Sequence, residues 1–269
     1  MNKTILITGS TDGIGKAAAM MLAKAGHDVY LHGRNPDKLA AVIAEVKSAS
    51  GNENVHGFVA DFSVLRAVRN LGAEILRELP KLDVLINNAG VYKSNVASTI
   101  DRLDMRFAVN YFAPLLLTRV LLPLLRKGSA PRIINVSSAA QAPVSADALV
   151  GNERLSTQSA YAQSKLALTM WSTDLAQTEP GITVIAVNPG SLLDTKLVRE
   201  GFGRSWSSAD KGASILFDLA VAEKYANASG KYFDNDLGTF GMAHPAGGSK
   251  ETVNALLTTT DKWLTRHEL

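Results

Sequence analysis

Residues 4–15 read Thr4-Ile5-Leu6-Ile7-Thr8-Gly9-Ser10-Thr11-Asp12-Gly13-Ile14-Gly15. A short β-prone apolar run leads into a turn with glycines at positions 9, 13 and 15, and an amphipathic stretch, Ile14 to Ala25, follows. Glycine permits the tight turn and lets backbone approach a ligand closely. The new helix N-terminus presents free N–H groups that suit a pyrophosphate. A Gly-rich turn alone can be an ordinary connection; strand before and helix after make it a nucleotide-site candidate.

Outward from this turn the same alternation repeats. Strand candidates are Thr4–Thr8, Val29–His32, Val55–Ala60, Val84–Asn87, Arg132–Val136, Thr183–Val187 and Lys231–Phe233. Helical candidates are Ile14–Ala25, Pro36–Ser48, Leu65–Leu79, Arg102–Arg126, Ala160–Gln177, Ala209–Ala222 and Thr252–Arg266. Strand and helix in alternation predict an α/β fold, a Rossmann-like doubly wound parallel sheet with helices on both faces. The apolar content of runs such as TILIT, DVLIN, RIINV and TVIAV fits strands buried on both faces. No Pro/Gly/Ser linker divides the 269 residues, so residues 1–269 read as one nucleotide-binding domain.

Composition narrows the function. Apolar residues at 46% and charged residues at 20% exclude a mainly disordered chain. A net charge of +3, spread along the chain, is no nucleic-acid footprint. The absence of cysteine excludes disulfides, thiolate metal sites and a cysteine nucleophile. Histidines 27, 32, 56, 244 and 267 lack ligand spacing and read as structural or solvent-facing, so no metal is expected. Neither a signal-peptide pattern nor a membrane span is expected: Phe107–Leu125 is broken by Asn110, Pro114, Thr118, Arg119 and Pro123, short of the ~18 uninterrupted apolar residues of a span. The expectation is a soluble, cytoplasmic protein that begins at its first strand and has neither nucleic-acid nor membrane partners.

The turn is spaced T-G-x-x-x-G-x-G. Further motifs follow in order: Asn87-Asn88-Ala89-Gly90 after the fourth strand, Asn110 in the long helix, and Asn135-Val136-Ser137-Ser138 ending the fifth strand. Then come Tyr161-Ala162-Gln163-Ser164-Lys165 on the next helix and Asn188-Pro189-Gly190 after the sixth strand. Over residues 4 to about 195 the chain resembles the short-chain dehydrogenase/reductase family. Each motif is weak alone; their joint appearance on the right elements carries the resemblance.

The resemblance implies a nicotinamide dinucleotide held by Gly9, Ser10, Asp12, Gly13, Ile14 and Gly15, by Asp61 and Phe62 after the third strand, and by Asn88, Ala89 and Gly90. Tyr161, Lys165, Pro189 and Gly190 complete the implied cofactor set. In the family the acid at Asp61 accepts from the adenine amino group; an Asp there also serves as a plain turn residue. The end of the second strand reads His32-Gly33-Arg34-Asn35, with no acid before Asp37. A carboxylate there would bond the ribose 2′-OH, whereas Arg34 suits a 2′-phosphate. NADP(H) is therefore expected rather than NAD(H), with Arg34 and Asn35 at the phosphate. Lys16 either adds positive field or is a solvated helix residue.

Tyr161 and Lys165, at i and i+4, share one helix face. A nearby ammonium favours the phenolate, so the pair suits a general acid/base exchanging a proton with a carbonyl or alcohol oxygen. The resemblance implies a catalytic set of Asn110, Ser138, Tyr161 and Lys165. Ser138 would hold the substrate oxygen, Lys165 would also bond the nicotinamide ribose, and Asn110 would support a proton relay. Alternation along the strand turns only one of Ser137 and Ser138 toward the substrate.

The chain departs from the family in places. Ala139 to Ala160, between the serine and the tyrosine, is longer than in many members, polar and loop-like. It resembles the retinol-dehydrogenase-like branch, in which such a segment helps wall the substrate site. Thr195 arrives one residue late for its family role at the nicotinamide carboxamide. Residues 191–208 mix Leu, Val, Phe and Trp with Lys and Arg and read as a substrate lid or an ordinary surface loop. Residues 250–269 end in an amphipathic helix that covers either the substrate pocket or a second subunit. A medium-sized, fairly apolar carbonyl/alcohol substrate is expected. By resemblance the chain forms a homo-oligomer through the helices beginning near Arg102 and Ala160. Rival readings are an NADP(H)-sensing regulator without chemistry, which would not need the Asn-Ser-Tyr-Lys set, and a sugar-nucleotide epimerase or dehydratase, whose turn spacing differs.

Overall fold

The computed structural model describes residues 2–195, 198–199 and 207–269. Thr4–Ile7 forms β1 and Gly13–Lys24 forms α1, joined by the Gly-rich turn. Asp12 caps α1, its carboxylate accepting from Gly13 N. The alternation continues through β2 (Asp28–Gly33), α2 (Pro36–Ser50), β3 (Val55–Val59), α3 (Leu65–Glu78) and β4 (Val84–Asn87). The long α4 (Met105–Leu125) precedes β5 (Arg132–Val136). After them come α5 (Ala146–Leu149), α6 (Thr157–Thr178), β6 (Thr183–Asn188), α7 (Ala209–Val221), β7 (Tyr232–Asp234), β8 (Thr239–Gly241) and α8 (Lys250–Arg266).

The strand order is β3-β2-β1-β4-β5-β6-β7-β8. All pairs are parallel except β7 with β8. The chain therefore forms the expected doubly wound α/β sheet, with one antiparallel edge hairpin that the sequence reading lacked. The winding reverses between β1 and β4, and such a reversal opens a crevice at the strand C-termini. Ile5, Leu6 and Ile7 are fully buried, as are Leu85 and Ile86, because helices cover both faces. One core lies between the sheet and α1, α2 and α7. The other packs α3, α4 and α6 against the opposite face, with α8 outermost.

The apolar α4, expected as one long helix, is despite its polar residues and prolines the one helix among the described residues long and apolar enough to cross a membrane. Its most apolar window is 72% buried inside the domain, so its apolarity serves the core. A π-helical turn at Ala108–Phe112 widens the helix, and Pro114 stands in the first turn beyond it, where a missing N–H is tolerated.

Two further expectations change. The long segment before α6 is only partly loop: α5 folds within it, with Ala148 and Leu149 buried and Ser145 N donating to Gln163 Oε1. The C-terminal α8 lies on its own chain's α4 and α6. Tyr111 and Thr260 hydroxyls are hydrogen-bonded at 2.8 Å, the Phe112 and Trp263 rings are 5.0 Å apart, and Arg119 pairs with Asp261. From Ala160 to Ser172 every residue of α6 except Gln163 is buried. Much of α6 is thus buried within the chain itself.

Candidate active site

The Gly-rich turn is fastened from two sides. Asn88 Nδ2 donates to Thr8 O and Gly9 O, and the Thr8 hydroxyl accepts from Asn88 N and Ala89 N. A Cβ on Gly15 would overlap the Asn88 side chain and stand 2.7 Å from Gly9 O. Gly9 itself has φ +63°, and a Cβ there would lie 2.7 Å from Ala89 Cα. The Asn87–Gly90 motif therefore builds the turn's floor. On the other side Gly9 N donates to His32 Nδ1, while His32 Nε2 reaches Ala60 O and the ring stacks on Phe62 at 4.2 Å. These bonds fit a neutral imidazole protonated at Nε2. Burial pushes its pKa down to about 4, with the Ala60 bond opposing. The structural reading of His32 stands, but its service to the turn depends on a ring stack and a bond across strands that no local pattern reveals.

Several implied cofactor residues have local duties. Asn35 caps α2, its Oδ1 accepting from Lys38 N. Asp61 Oδ1 accepts from Ser63 N and Oγ in a turn. Phe62 is buried beneath His32. Ser10 is buried, bonding Ile7 O and His32 N rather than facing outward. Arg34 is exposed at the end of β2, and among the described residues no hydrogen bond or ion pair engages it. Lys16 pairs with Glu45 on α2. Lys38, which the sequence reading passed over, pairs with Asp12 at 2.8 Å. Gly190, at φ +121°, follows Asn188 and Pro189. That turn is held to the β7–β8 hairpin through Asn188, Ser191 and Asp236 and through Asn235.

Around α6 the chemistry-bearing residues converge. The Ser138 side chain neighbours the Tyr161 phenol closely enough to hold its pKa down. The Tyr92 ring meets Tyr161 edge-on, centroids 5.0 Å apart. Lys165 Nζ lies 5.7 Å from the Tyr161 ring centroid and donates to Val136 O at 2.7 Å. Ser137 turns the other way, bonding Lys165 O and Thr169 Oγ1 within the core. The pair thus divides as strand alternation requires, with Ser138 on the tyrosine side. Two donors, Tyr232 Oη and Gln141 Nε2, hold the Ser138 carbonyl.

Asn110 sits within the π turn, buried. Its Oδ1 accepts from Val91 N at 2.8 Å, and its Nδ2 donates to Val91 O and Ser164 Oγ, each at 3.0 Å. It therefore ties α4, the segment after β4 and α6 together. A Cβ on Gly90 would come 3.5 Å from Asn110 Oδ1 and 3.6 Å from Lys165 Nζ, so these three residues are neighbours. Thr195, doubted from its register, lies against the Gly-rich turn: a Cβ on Gly13 would stand 3.2 Å from its Cγ2. Of the expected lid, Lys196, Leu197 and residues 200–206 lie outside the described residues.

Burial decides the charges. It pushes the Tyr161 phenol up, opposed by the neighbouring Ser138 side chain and reinforced by Tyr92. It pushes Lys165 down to about 7. The sequence-based expectation, an ammonium lowering the phenol, is outweighed by desolvation of both groups. What results is a proton-bearing phenol beside a hydroxyl, backed by a lysine that titrates near neutrality. Such a pair can give a proton to a developing alkoxide. The glycine cradle, the open first turn of α1 and the unengaged Arg34 fit an anionic dinucleotide along the strand ends.

A family profile described as short chain dehydrogenase matches residues 3–203. Human retinol dehydrogenase 13 is 35% identical over 252 residues, covering 86% of this chain and 76% of that protein. A Streptomyces sp. (strain C5) protein assigned by name as daunorubicin C-13 ketoreductase DnrU is 35% identical over 243 residues, covering 87% and 83%. Among solved structures, an Escherichia coli CFT073 protein assigned as a short chain dehydrogenase and complexed with NADPH superimposes with TM-score 0.72 at 27% identity, covering 87% of this chain and 97% of that one.

Proposed function

The chain belongs to the short chain dehydrogenase family, NAD(P)-dependent oxidoreductases of small molecules, and on that premise we propose that it is an NADP(H)-dependent carbonyl reductase/alcohol dehydrogenase with Tyr161 as general acid/base. The observation that carries the proposal is Tyr161 beside Ser138 with Lys165 buried behind it, its Nζ 5.7 Å from the Tyr161 ring centroid. When bound, the nicotinamide supplies or accepts the hydride.

The remaining work falls to side chains. Ser138 holds the substrate oxygen beside the Tyr161 hydroxyl, and Tyr161 passes its proton to that oxygen or removes it in the reverse direction. Lys165, pushed toward neutrality by burial, bonds the nicotinamide ribose and exchanges the proton behind Tyr161. Asn110 holds Val91 and Ser164 so that Gly90 and Lys165 keep their places. The α1 first turn and the Gly9–Gly15 backbone take the pyrophosphate. Arg34 takes the adenosine 2′-phosphate, supported by the lack of an acid at the end of β2 and by the NADPH complex of the structural relative.

The substrate proposed is a medium-sized apolar carbonyl compound. Retinol and a ketone are what the names of the relatives describe, and Tyr92 places an aromatic ring beside Tyr161.

The test is consumption of NADPH, and separately NADH, over a panel of aldehydes, ketones and quinones, with the Tyr161→Phe variant alongside. Turnover with NADPH that vanishes in the variant is the expected result. Nucleotide binding without turnover across the panel would favour a sensor, and turnover confined to small charged ketoacids would overturn the substrate class.

A further inference from the structure

Ser138 stands at the start of a turn that side chains close. Among the described residues no backbone hydrogen bond spans Ser138 to Gln141. Instead Ala140 N donates to Ser138 Oγ at 3.1 Å, and Gln141 Nε2 donates back to Ser138 O at 2.9 Å. The next acceptor for that Nε2, Ser137 Oγ, is 3.5 Å away. The other end of the same amide, Gln141 Oε1, accepts from His244 N at 3.0 Å.

His244 gives the glutamine a fixed post. It caps the short turn Pro245–Gly247, its Nδ1 accepting from Ala246 N. That turn rests on α6: a Cβ on Gly247 would stand 2.8 Å from Leu166 Cδ1 and 3.0 Å from Met170 Cγ. Leu166 directly follows Lys165, so the post stands on the helix that carries Tyr161 and Lys165. The chain beyond the glutamine is held to α6 without its side chain, by Ala142 N donating to Ala162 O and Ser145 N to Gln163 Oε1. The Gln141 amide is therefore not what keeps this segment in place. Its two bonds join the Ser138 carbonyl to a point fixed on α6.

We infer that Gln141 is a positioning residue for the reaction and acts through Ser138. The inference rests on the roles proposed for Tyr161 and Ser138. A hydroxyl has one proton and two lone pairs. The Ala140 N–H takes one lone pair of Ser138 Oγ, so the serine proton points away from Ala140 and serves the substrate oxygen beside Tyr161. That direction depends on the peptide plane that follows Ser138, which carries the Ser138 carbonyl oxygen. Two donors hold that oxygen, Gln141 Nε2 from the turn and Tyr232 Oη from β7. With the glutamine donor gone the plane is free to tilt about the remaining bond, and the Ala140 N–H moves with it. Small misplacements of a group that orients the substrate cost large factors in rate.

The experiment is steady-state carbonyl reduction by the full chain with NADPH, on the best substrate of the panel. NADPH affinity without substrate and melting temperature are measured for each variant. Gln141→Met removes both bonds at similar side-chain length. Its kcat should fall about tenfold, the worth of about one hydrogen bond, with NADPH affinity within about twofold and melting within a few degrees of wild type. Gln141→Glu, ionised near neutral pH, keeps the acceptor for His244 N and loses the donor to Ser138 O. Its kcat should fall at least as far. In a Ser138→Ala background the Gln141→Met change should cost less than about twofold more, because the hydroxyl it orients is gone. Wild-type kcat in Gln141→Met would confine the glutamine to packing its turn. Full activity in Gln141→Glu beside a loss in Gln141→Met would place the effect in the His244 bond and overturn action on Ser138. A full tenfold loss in the Ser138→Ala background would overturn it as well. Equal turnover by wild type and Tyr161→Phe would remove the underlying reading of the site, and that result appears without any Gln141 variant.

Discussion

Tyr161, on the first turns of α6, and Ser138, just beyond β5, are neighbours, and buried Lys165 backs the tyrosine with its Nζ 5.7 Å from the ring centroid. Positioned proton transfer contributes roughly 10²–10⁴-fold to a rate. Tyr161→Phe should therefore lower kcat by about that factor while NADPH affinity, measured without substrate, stays within about threefold. Ser138→Ala keeps the phenol and removes the second hydroxyl, so it should retain more activity than Tyr161→Phe. Equal rates for wild type and Tyr161→Phe would remove the tyrosine from the chemistry.

Lys165 gives a pH dependence of definite sign. Its folded pKa is depressed from 10.5 to about 7 by burial. Between those values the unfolded chain carries a proton there that the folded chain does not, so this group makes stability rise with pH from about 7 toward 10. Below the folded pKa both states are protonated, so the slope vanishes and the folded state bears the full cost of the buried charge. Urea denaturation at pH 6.5 and pH 9 should show a larger gain in wild type than in Lys165→Met. An identical pH slope in the two proteins would place the ammonium in better contact with water than the structure has it.

Gly15 tests the floor of the turn. Gly15→Ala would put a methyl into the Asn88 side chain and near Gly9 O. Overpacking of this kind costs about 1–3 kcal/mol, and relief requires Asn88 to release its two carbonyl partners. The variant should melt several degrees lower and bind both nucleotides more weakly by a common factor. A loss confined to NADPH would mean that Gly15 serves the 2′-phosphate and not the turn.

How much of this was legible depended on whether a signal was local. Strand-turn-helix at residues 4–15, the serine pair and Tyr161 with Lys165 are each written within a few consecutive residues, and the fold gathers Ser138, Tyr161, Lys165 and Asn110 into one neighbourhood. Ser138 over Ser137 follows from strand alternation once the strand end is fixed. The rest depended on contacts distant in sequence. His32 holds Gly9 through a ring nitrogen, Lys38 crosses to Asp12, and Tyr232 holds the Ser138 carbonyl from a strand 94 positions away. The short β8 (Thr239–Gly241) has too few residues to show a period, and the π turn that accommodates Asn110 leaves no mark in residue spacing. Burial, which a sequence does not display, pushes the Tyr161 phenol up.

The placement of α8 leads to a prediction about association. Trp263 is buried on Phe112 and stacks on His267 at 3.9 Å, while Thr260 closes the Tyr111 hydroxyl, itself fully buried. Truncating a buried tryptophan costs about 3–5 kcal/mol, so Trp263→Ala should lower the melting temperature substantially. The same change loosens the cover over α4, where Phe112 lies against Trp263 in the same apolar core. Wild-type protein should sediment as a monomer at micromolar concentration if α8 occupies the faces of α4 and α6 on which it packs in place of a second copy. Trp263→Ala should shift toward concentration-dependent self-association at temperatures where it remains folded. A wild-type dimer whose crosslinks join α4 to α4 or α6 to α6 would show that α8 yields its place to a partner, and a Trp263→Ala protein that is destabilised but strictly monomeric would limit α8 to packing alone.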